Sequence, residues 1–277
     1  MNAGQPFVKL EALGNDFVLL DHRQGQADPD PERIRALADR HTGIGFDQLL
    51  IVKPALCDTA DVRVSIFNQD GSSAQQCGNG MRAIARWLED EQPDRQAYVL
   101  STPAGLIATE NLGDQGIRVE MGRPEFGPRV TGLAENLDIE EVIGDVPGLV
   151  NHGLVSMGNP HLILQLDRDP DTRIVRDDGA RIGQHQAFRE GINVSFVHLN
   201  GGQVPRLGVH ERGVGPTRAC GSAACAAGAF LIQTGQSDPP VYIDQPGGRL
   251  VIDWRGEGCP LWMTGPAQRV FNGLFLS

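Results

Sequence analysis

The sequence predicts an α+β fold made of two similar halves, and three observations carry that reading. The chain contains itself twice at one offset. It is rich in the turn residues that punctuate short strands. Each half has room for one well-formed helix. Cys77-Gly78 lies 143 positions before Cys220-Gly221, Gly14-Asn15 lies 144 before Gly158-Asn159, and Pro103-Ala104-Gly105 lies 143 before Pro246-Gly247-Gly248. Anchors in one order at one offset indicate a duplication, and two copies are too few for a solenoid. Among 277 residues, 35 Gly and 18 Pro are many for a helical protein and imply frequent turns.

The elements follow the same order in both halves. An opening strand runs into a Gly-Asn turn, FVKLEALGND in the first and HGLVSMGNPH in the second. The β-rich runs VRVSIFN (62–68) and NVSFVHL (193–199) come next and are matched to each other. A Cys-Gly turn then opens a helix. In MRAIARWLED, Met81, Ile84, Ala85 and Leu88 fall at i, i+3, i+4 and i+7, one apolar stripe. SAACAAGAFLIQTG is apolar nearly all round and is expected to be deeply buried. Each half closes with strand, Pro-x-Gly turn and strand, AYVLSTPAGLIAT and VYIDQPGGRLVIDW. The stretch 124–150, with its acidic run AENLDIEEVIGD, is where the halves are expected to join.

Bulk properties narrow the function. The net charge of −11 argues against a nucleic-acid groove or an anionic membrane surface, both of which need basic patches. A small zwitterion carries little net charge to repel, so an amino-acid-like ligand fits. The N-terminus shows no basic stretch followed by an apolar run, and no apolar run reaches the ~18–20 residues of a membrane span. Five cysteines at irregular spacing do not make a disulfide framework. A reducing cytoplasm and available thiols are the expectation.

The two Cys-Gly turns are the candidate chemistry. A helix N-terminus presents unpaired N–H groups and the positive end of the dipole, which is expected to favour thiolate at Cys77 and Cys220. The glycines that follow let a carboxylate approach the backbone. Two sulfurs at equivalent points of duplicated halves are expected to be related by a pseudo-two-fold axis, with the active site at the seam. Inverting a carbon centre by proton exchange needs a base on one face and an acid on the other, and two like groups serve both directions. No G-x-G-x-x-G and no Walker loop is present, and no lysine stands out as a Schiff-base former, so no cofactor is expected. Cys77, Cys220, His161 and Glu211 match none of the usual zinc spacings, so no metal is expected.

At these residues the sequence resembles the diaminopimelate epimerases, cofactor-independent isomerases of lysine and peptidoglycan precursor synthesis. The resemblance spans nearly the whole chain. It rests on ALGNDFVLLD (12–21), GIGFDQLL (43–50), FNQDGSSAQQCGNGMRAIARWL (67–88), SMGNPH (156–161), EGINVSFV (190–197), HERGVGPTRACGSAACAAG (210–228) and TGPAQRVFNG (264–273). It implies that Cys77 and Cys220 are the acid/base thiols. It implies that the backbone at Gly78-Asn79 and Gly221-Ser222 holds the α-carboxylate. Asn15, Gln48, Asn68, Asn159, Asn193, Glu211 and Arg212 match substrate-binding positions, and His161 and Glu211 match positions that tune the thiols. Each lobe is then a barrel-like sheet around its central helix, residues 1–123 and 124–266, with 267–277 returning to the first. The expected reaction converts LL- to meso-diaminopimelate.

The residue chemistry suits that substrate, which has an amino-carboxylate at each end. Arg212 can grip the distal carboxylate bidentately, and the Asn side chains offer both donors and acceptors. Three positions depart from the family pattern: Pro216 where Glu is usual, Ser222-Ala223 for Thr-Gly, and His210 for Tyr. Pro216 removes an N–H and stiffens the loop before Cys220. The alternative reading is a proline or hydroxyproline racemase on the same duplicated lobes, which needs no distal clamp. A second alternative is a thiol redox protein. Expected partners are the small amino-acid substrate and at most a second copy of the chain.

Overall fold

The structure is a computed structural model, and it describes residues 4–134, 137–199 and 201–275. Residues 135 and 136 of the acidic run lie outside the described residues. The chain forms two compact units, Met1–Glu120 with Thr264–Ser277, and Met121–Met263. Among the described residues no helix is long and apolar enough to cross a membrane.

In the first unit the elements are β1 (Gln5–Ala12), β2 (Asn15–Asp21), α1 (Pro31–Ala38), β3 (Gln48–Pro54), β4 (Val62–Asn68), β5 (Ser73–Ala74), α2 (Gly78–Glu91), β6 (Ala97–Thr102), β7 (Gly105–Asn111) and β8 (Ile117–Glu120). The second has β9 (Glu125–Phe126), α3 (Pro128–Thr131), α4 (Ile139–Ile143), β10 (Leu149–Ser156), β11 (Pro160–Leu166), α5 (Thr172–Gly183), β12 (Asn193–His198), β13 (Arg206–Glu211), β14 (Gly215–Thr217), α6 (Gly221–Gln233), β15 (Val241–Gln245) and β16 (Gly248–Trp254). β17 (Leu261–Gly265) runs across the second boundary, and β18 (Gln268–Phe275) belongs to the first unit.

The pairing order shows the duplication directly. In the first unit it is β18-β1-β2-β3-β4-β6-β7-β8, with β2–β3 and β4–β6 parallel and the other pairs antiparallel. In the second it is β9-β10-β11-β12-β13-β15-β16, with β11–β12 and β13–β15 parallel. The signs agree pair for pair. Each sheet curls around one helix: α2 packs against β1, β2, β3, β7, β8 and β18, and α6 against β10, β11, β12, β13, β15 and β16. Both helices are therefore buried on most of their circumference, α2 over Gly78–Ala85 and α6 over Ala223–Leu231.

One expectation needs correction. The run 62–68 is not the counterpart of 193–199. By pairing order β4 (62–68) corresponds to β13 (206–211), and β12 (193–198) corresponds to β3 (48–54). The one central helix expected in each half is α2 in the first and α6 in the second, and a further helix lies outside each sheet, α1 and α5. The parallel pairs β2–β3 and β11–β12 require a crossover, and a helix is its usual form. Asp30 caps α1 by accepting from Arg33 N at 2.7 Å, with Pro31 in the first turn; Asp171 caps α5 by accepting from Ile174 N at 2.8 Å.

These outer helices explain the continuous apolar runs in the strands beneath. Ile34, Leu37 and Ala38 of α1 cover Val18, Leu20, Leu49 and Ile51. Ile174, Val175 and Ile182 of α5 cover Leu162, Leu164, Val194 and Phe196. A parallel pair covered on both faces reads as an unbroken hydrophobic run instead of an alternation.

The central helices approach their strands closely. A Cβ on Gly228 of α6 would stand 2.8 Å from Ile252 Cγ2 of β16. Alanine is the better helix former, yet Gly228→Ala should lower stability by about 1–3 kcal/mol through overpacking. A fall in the urea midpoint at unchanged m-value will show it; a gain in stability would mean that the α6–β16 contact is slack.

Candidate functional site

In the first unit the site is built on the N-terminus of α2. Cys77 is the N-cap, with φ −148° and ψ 103°, and its Sγ accepts from Gly80 N at 3.3 Å. Gly78 and Asn79 are the first two helical residues, so their N–H groups precede the intrahelical ladder. Asn15 follows Gly14, whose φ of +84° makes the tight Gly-Asn turn. Asn79 Nδ2 donates to Asn15 Oδ1 at 3.3 Å, and Asn15 Nδ2 donates to Asp47 Oδ2 at 2.8 Å. Cross-strand partners Gln48 and Asn68 are joined by Gln48 Nε2 to Asn68 Oδ1 at 2.9 Å. Asn68 Nδ2 donates to Ser72 Oγ at 3.0 Å. Gln48 Oε1 and Asn79 Oδ1 are buried acceptors without a hydrogen-bond partner among the described residues.

Asp47, which the sequence reading did not single out, anchors Asn15. Its neighbour Asp16 is held by Arg40, at 2.7 and 3.0 Å, and by Lys9. Burial works against ionisation of Asp16, but hydrogen bonds from Arg40 and Lys9 outweigh it and bring the carboxyl down to about 2.

The second unit repeats the plan with different chemistry. Cys220 is the N-cap of α6, but its sulfur makes no cap bond. Instead Sγ donates to Glu211 Oε2 at 3.1 Å and lies 3.5 Å from Ser222 Oγ. Glu211 stands 143 positions after Asn68, the same offset as the two cysteines, so a carboxylate replaces an amide at the matching strand end. Thr217 Oγ1 donates to the other Glu211 oxygen at 2.5 Å. The Cys220 N–H donates to Gln245 Oε1 at 2.9 Å, and Gln245 Nε2 is buried without a partner among the described residues. Thr217 and Gln245 were also missed; Gln245 sits at the mouth of the Pro-Gly-Gly turn, 25 residues from the sulfur it orients.

The expectation of a depressed thiol fails for Cys220. Burial pushes its thiol well above the ordinary value, and the Glu211 carboxylate pushes it further. These outweigh the helix N-terminus, so in this arrangement Cys220 is a thiol that donates.

The remaining predicted residues form a connected chain beside Cys220. His161 Nε2 and Asn159 Oδ1 are 3.2 Å apart, and Asn159 Nδ2 donates to Ser222 Oγ at 3.2 Å. His161 thus reaches the sulfur only through Asn159 and Ser222. Burial brings the His161 pKa down from 6.5 to about 3, with a smaller push from the Arg212 charge, so the ring is neutral near pH 7. Asn193 donates to Pro160 O at 2.8 Å and accepts from Arg212 N at 3.0 Å, which fixes the backbone that carries Arg212. The Arg212 side chain is 37% exposed and only loosely held, 3.8 Å from the Glu190 carboxylate. Gly221 opens α6.

The three departures cause no disruption. Pro216 lies in the short strand β14, opposite His210, where an absent N–H is tolerated. Ser222 keeps the hydroxyl that Asn159 and Cys220 meet. His210 is buried and its Nδ1 lies 3.1 Å from Val175 O.

A family model for diaminopimelate epimerase matches residues 7–127 and 153–270. The chain belongs to the diaminopimelate epimerase family. It is 42% identical over 269 residues to a diaminopimelate epimerase of Pseudomonas syringae pv. tomato, covering 96% of this chain and 97% of that one. It is 42% identical over 275 residues to one of Alkalilimnicola ehrlichii, with the same coverage. Among solved structures it resembles a Bacillus anthracis phenazine biosynthesis protein of the PhzF family, with TM-score 0.67, 16% identity and 99% of both chains covered. It also resembles a hydroxyproline epimerase from Agrobacterium vitis, with TM-score 0.66 and 14% identity, covering 98% of this chain and 92% of that one. At those identities the likeness is one of fold.

His161 makes the stability pH-dependent in a defined window. Its folded pKa lies below the unfolded value, so the unfolded chain binds the extra proton between pH 6.5 and about 3. Stability is fully present above pH 6.5 and falls by about 1.4 kcal/mol per pH unit through that window. His161→Gln should flatten this slope in denaturation curves taken from pH 7 to 4; an unchanged slope would remove His161 as its source.

Proposed function

We propose that the protein interconverts LL- and meso-diaminopimelate, with Cys77 and Cys220 as the proton-exchanging pair. The enzyme is an isomerase, and its relatives at 42% identity over nearly their whole length carry that substrate in their names. The single observation that carries the mechanism is the asymmetry between the two sulfurs. Cys77 Sγ accepts a hydrogen bond and Cys220 Sγ donates one. That is the pairing a one-proton transfer needs, a base on one side and an acid on the other.

In the direction this arrangement favours, the Cys77 sulfur takes the α-proton and the Cys220 S–H delivers its own to the opposite face of the carbon. Cys77 ends as thiol and Cys220 as thiolate, and the reverse reaction runs with the roles exchanged. The α-carboxylate gains negative charge as the proton leaves. Backbone N–H groups at Gly78-Asn79 and Gly221-Ser222 are the donors that stabilise it. Glu211 holds the Cys220 proton until the carbanion forms, because a thiolate beside a carboxylate is unfavourable. The buried acceptors on Gln48 and Asn79 suit an ammonium, and Arg212 suits the distal carboxylate. A cytoplasmic setting keeps the thiols reduced.

Turnover in D₂O should place deuterium on the α-carbon of the product, read by proton NMR. Product that retains all its hydrogen would rule out exchange through these thiols. Cys77→Ala and Cys220→Ala should each abolish epimerisation with the fold intact by circular dichroism.

Arg212 separates this substrate from a cyclic imino acid. Arg212→Ala should reduce kcat/KM for diaminopimelate roughly a hundredfold or more, since it leaves the distal carboxylate unpaired. Undiminished turnover would remove the distal clamp and reopen the proline racemase reading.

A further inference from the structure

A polar cavity lies at the far end of β3 from Gln48, within the first unit. Lys53 is five residues beyond Gln48 on the same strand, about 16 Å away at ~3.3 Å per residue. The cavity has a volume of about 390 Å³, and His22, Gly25, Gln26, Asp28, Lys53, Pro54 and Arg63 line it.

Strand register explains its position. Leu49, Ile51 and Lys53 share one face of β3, and their antiparallel partners on β4 are Phe67, Ser65 and Arg63. That face is apolar where α1 covers it, at Leu49, Ile51 and Phe67. Past the end of the helix it turns polar, at Ser65, Lys53 and Arg63.

Three features of this patch call for a ligand. First, Lys53 and Arg63 are directly opposed cross-strand partners, and like charges in that relation repel. Asp28 neutralises only one of them: its Oδ2 pairs with Lys53 Nζ, which also donates to Ser65 Oγ at 3.1 Å. Second, Arg63 Nε is buried without a hydrogen-bond partner, and its guanidinium forms no ion pair among the described residues. Third, His22 is 1% exposed and its Nδ1 has no hydrogen-bond partner among the described residues. Gln5 Nε2 lies 2.9 Å from His22 Nε2, and an amide N–H₂ can only donate. The neutral ring therefore carries its proton on Nδ1, as a donor. The nearest acidic oxygen, Asp28 Oδ1, is 3.5 Å away, too far for a hydrogen bond.

We propose that this cavity is a binding site for a small oxyanion, a phosphate or carboxylate group, held by the Arg63 fork with Lys53 and the His22 Nδ1–H as further donors. The charges balance: Lys53 and Asp28 cancel, and Arg63 is left to be matched. A planar guanidinium meets two oxygens of one carboxylate or phosphate side by side, which an ammonium cannot do. The site shares no residue with the thiol chemistry and does not rest on the proposed reaction.

Isothermal titration calorimetry on the full chain tests it, with inorganic phosphate in one arm and citrate in the other, both at constant ionic strength set with chloride. One saturable site per chain is expected for at least one anion, and the responding arm assigns the source as phosphate or carboxylate. Arg63→Gln should weaken that binding roughly ten- to hundred-fold, the cost of losing a charge-assisted hydrogen-bond pair. Arg63→Lys, which keeps the charge but not the fork, should fall between. Epimerase turnover and melting temperature should be unchanged in both variants, since the Arg63 guanidinium makes no hydrogen bond or ion pair among the described residues. Dilution heat alone in both arms would overturn the proposal, as would wild-type affinity in Arg63→Gln.

Discussion

A helix threaded through a curled sheet cannot leave its first turn unsatisfied, and the arrangement of both units follows from that constraint. The first N–H groups of a buried helix have no partner within it, and in an apolar interior each orphan is costly. In both units the chain therefore converges polar side chains on the start of the central helix. They come from the Gly-Asn turn, from the strand ends and from the turn before the helix. The same convergence that completes the helix makes a place where an anionic group is welcome and where a sulfur at the N-cap is surrounded by donors and acceptors. Structural need and chemical capacity share one location.

Duplication supplies two such places, and divergence makes them unequal. At the matching strand end, Asn68 in the first unit stands where the second has Glu211. An amide leaves the neighbouring cap sulfur to accept from the backbone; a carboxylate turns it into a donor and raises its proton affinity. A single amide-to-carboxylate difference thus accompanies a sulfur that accepts in one unit and one that donates in the other. The helix dipole, identical in sign at both sites, is the weaker influence at Cys220, where the sulfur is buried against a formal charge.

Much of this was legible in the sequence, and the exceptions have physical causes. The duplication was visible because Gly14 and Gly158 sit at positive φ, which few other residues adopt, and because each cysteine leads directly into a helix. The matching of 62–68 with 193–199 failed because resemblance of composition stood in for burial. β4 alternates between core and solvent, while β12 is buried on both faces beneath α5. The outer helices were missed because they are short and rich in charge, although Asp30-Pro31 and Asp171 carried their cap signals. Asp47 and Thr217 lie inside the quoted blocks but carry no repeat signal of their own, and Gln245 reaches Cys220 from 25 residues away, which spacing does not reveal.

The pairing of β1 with β18 joins Gln5 to Phe275, almost end to end along the chain. During synthesis the second unit is contiguous and emerges whole, whereas the first lacks a strand until Gln268–Phe275 has followed it. Until then β1 keeps one backbone edge open, a template for a wrong neighbour. The half that is translated first thus closes only after the whole of the second half has been made.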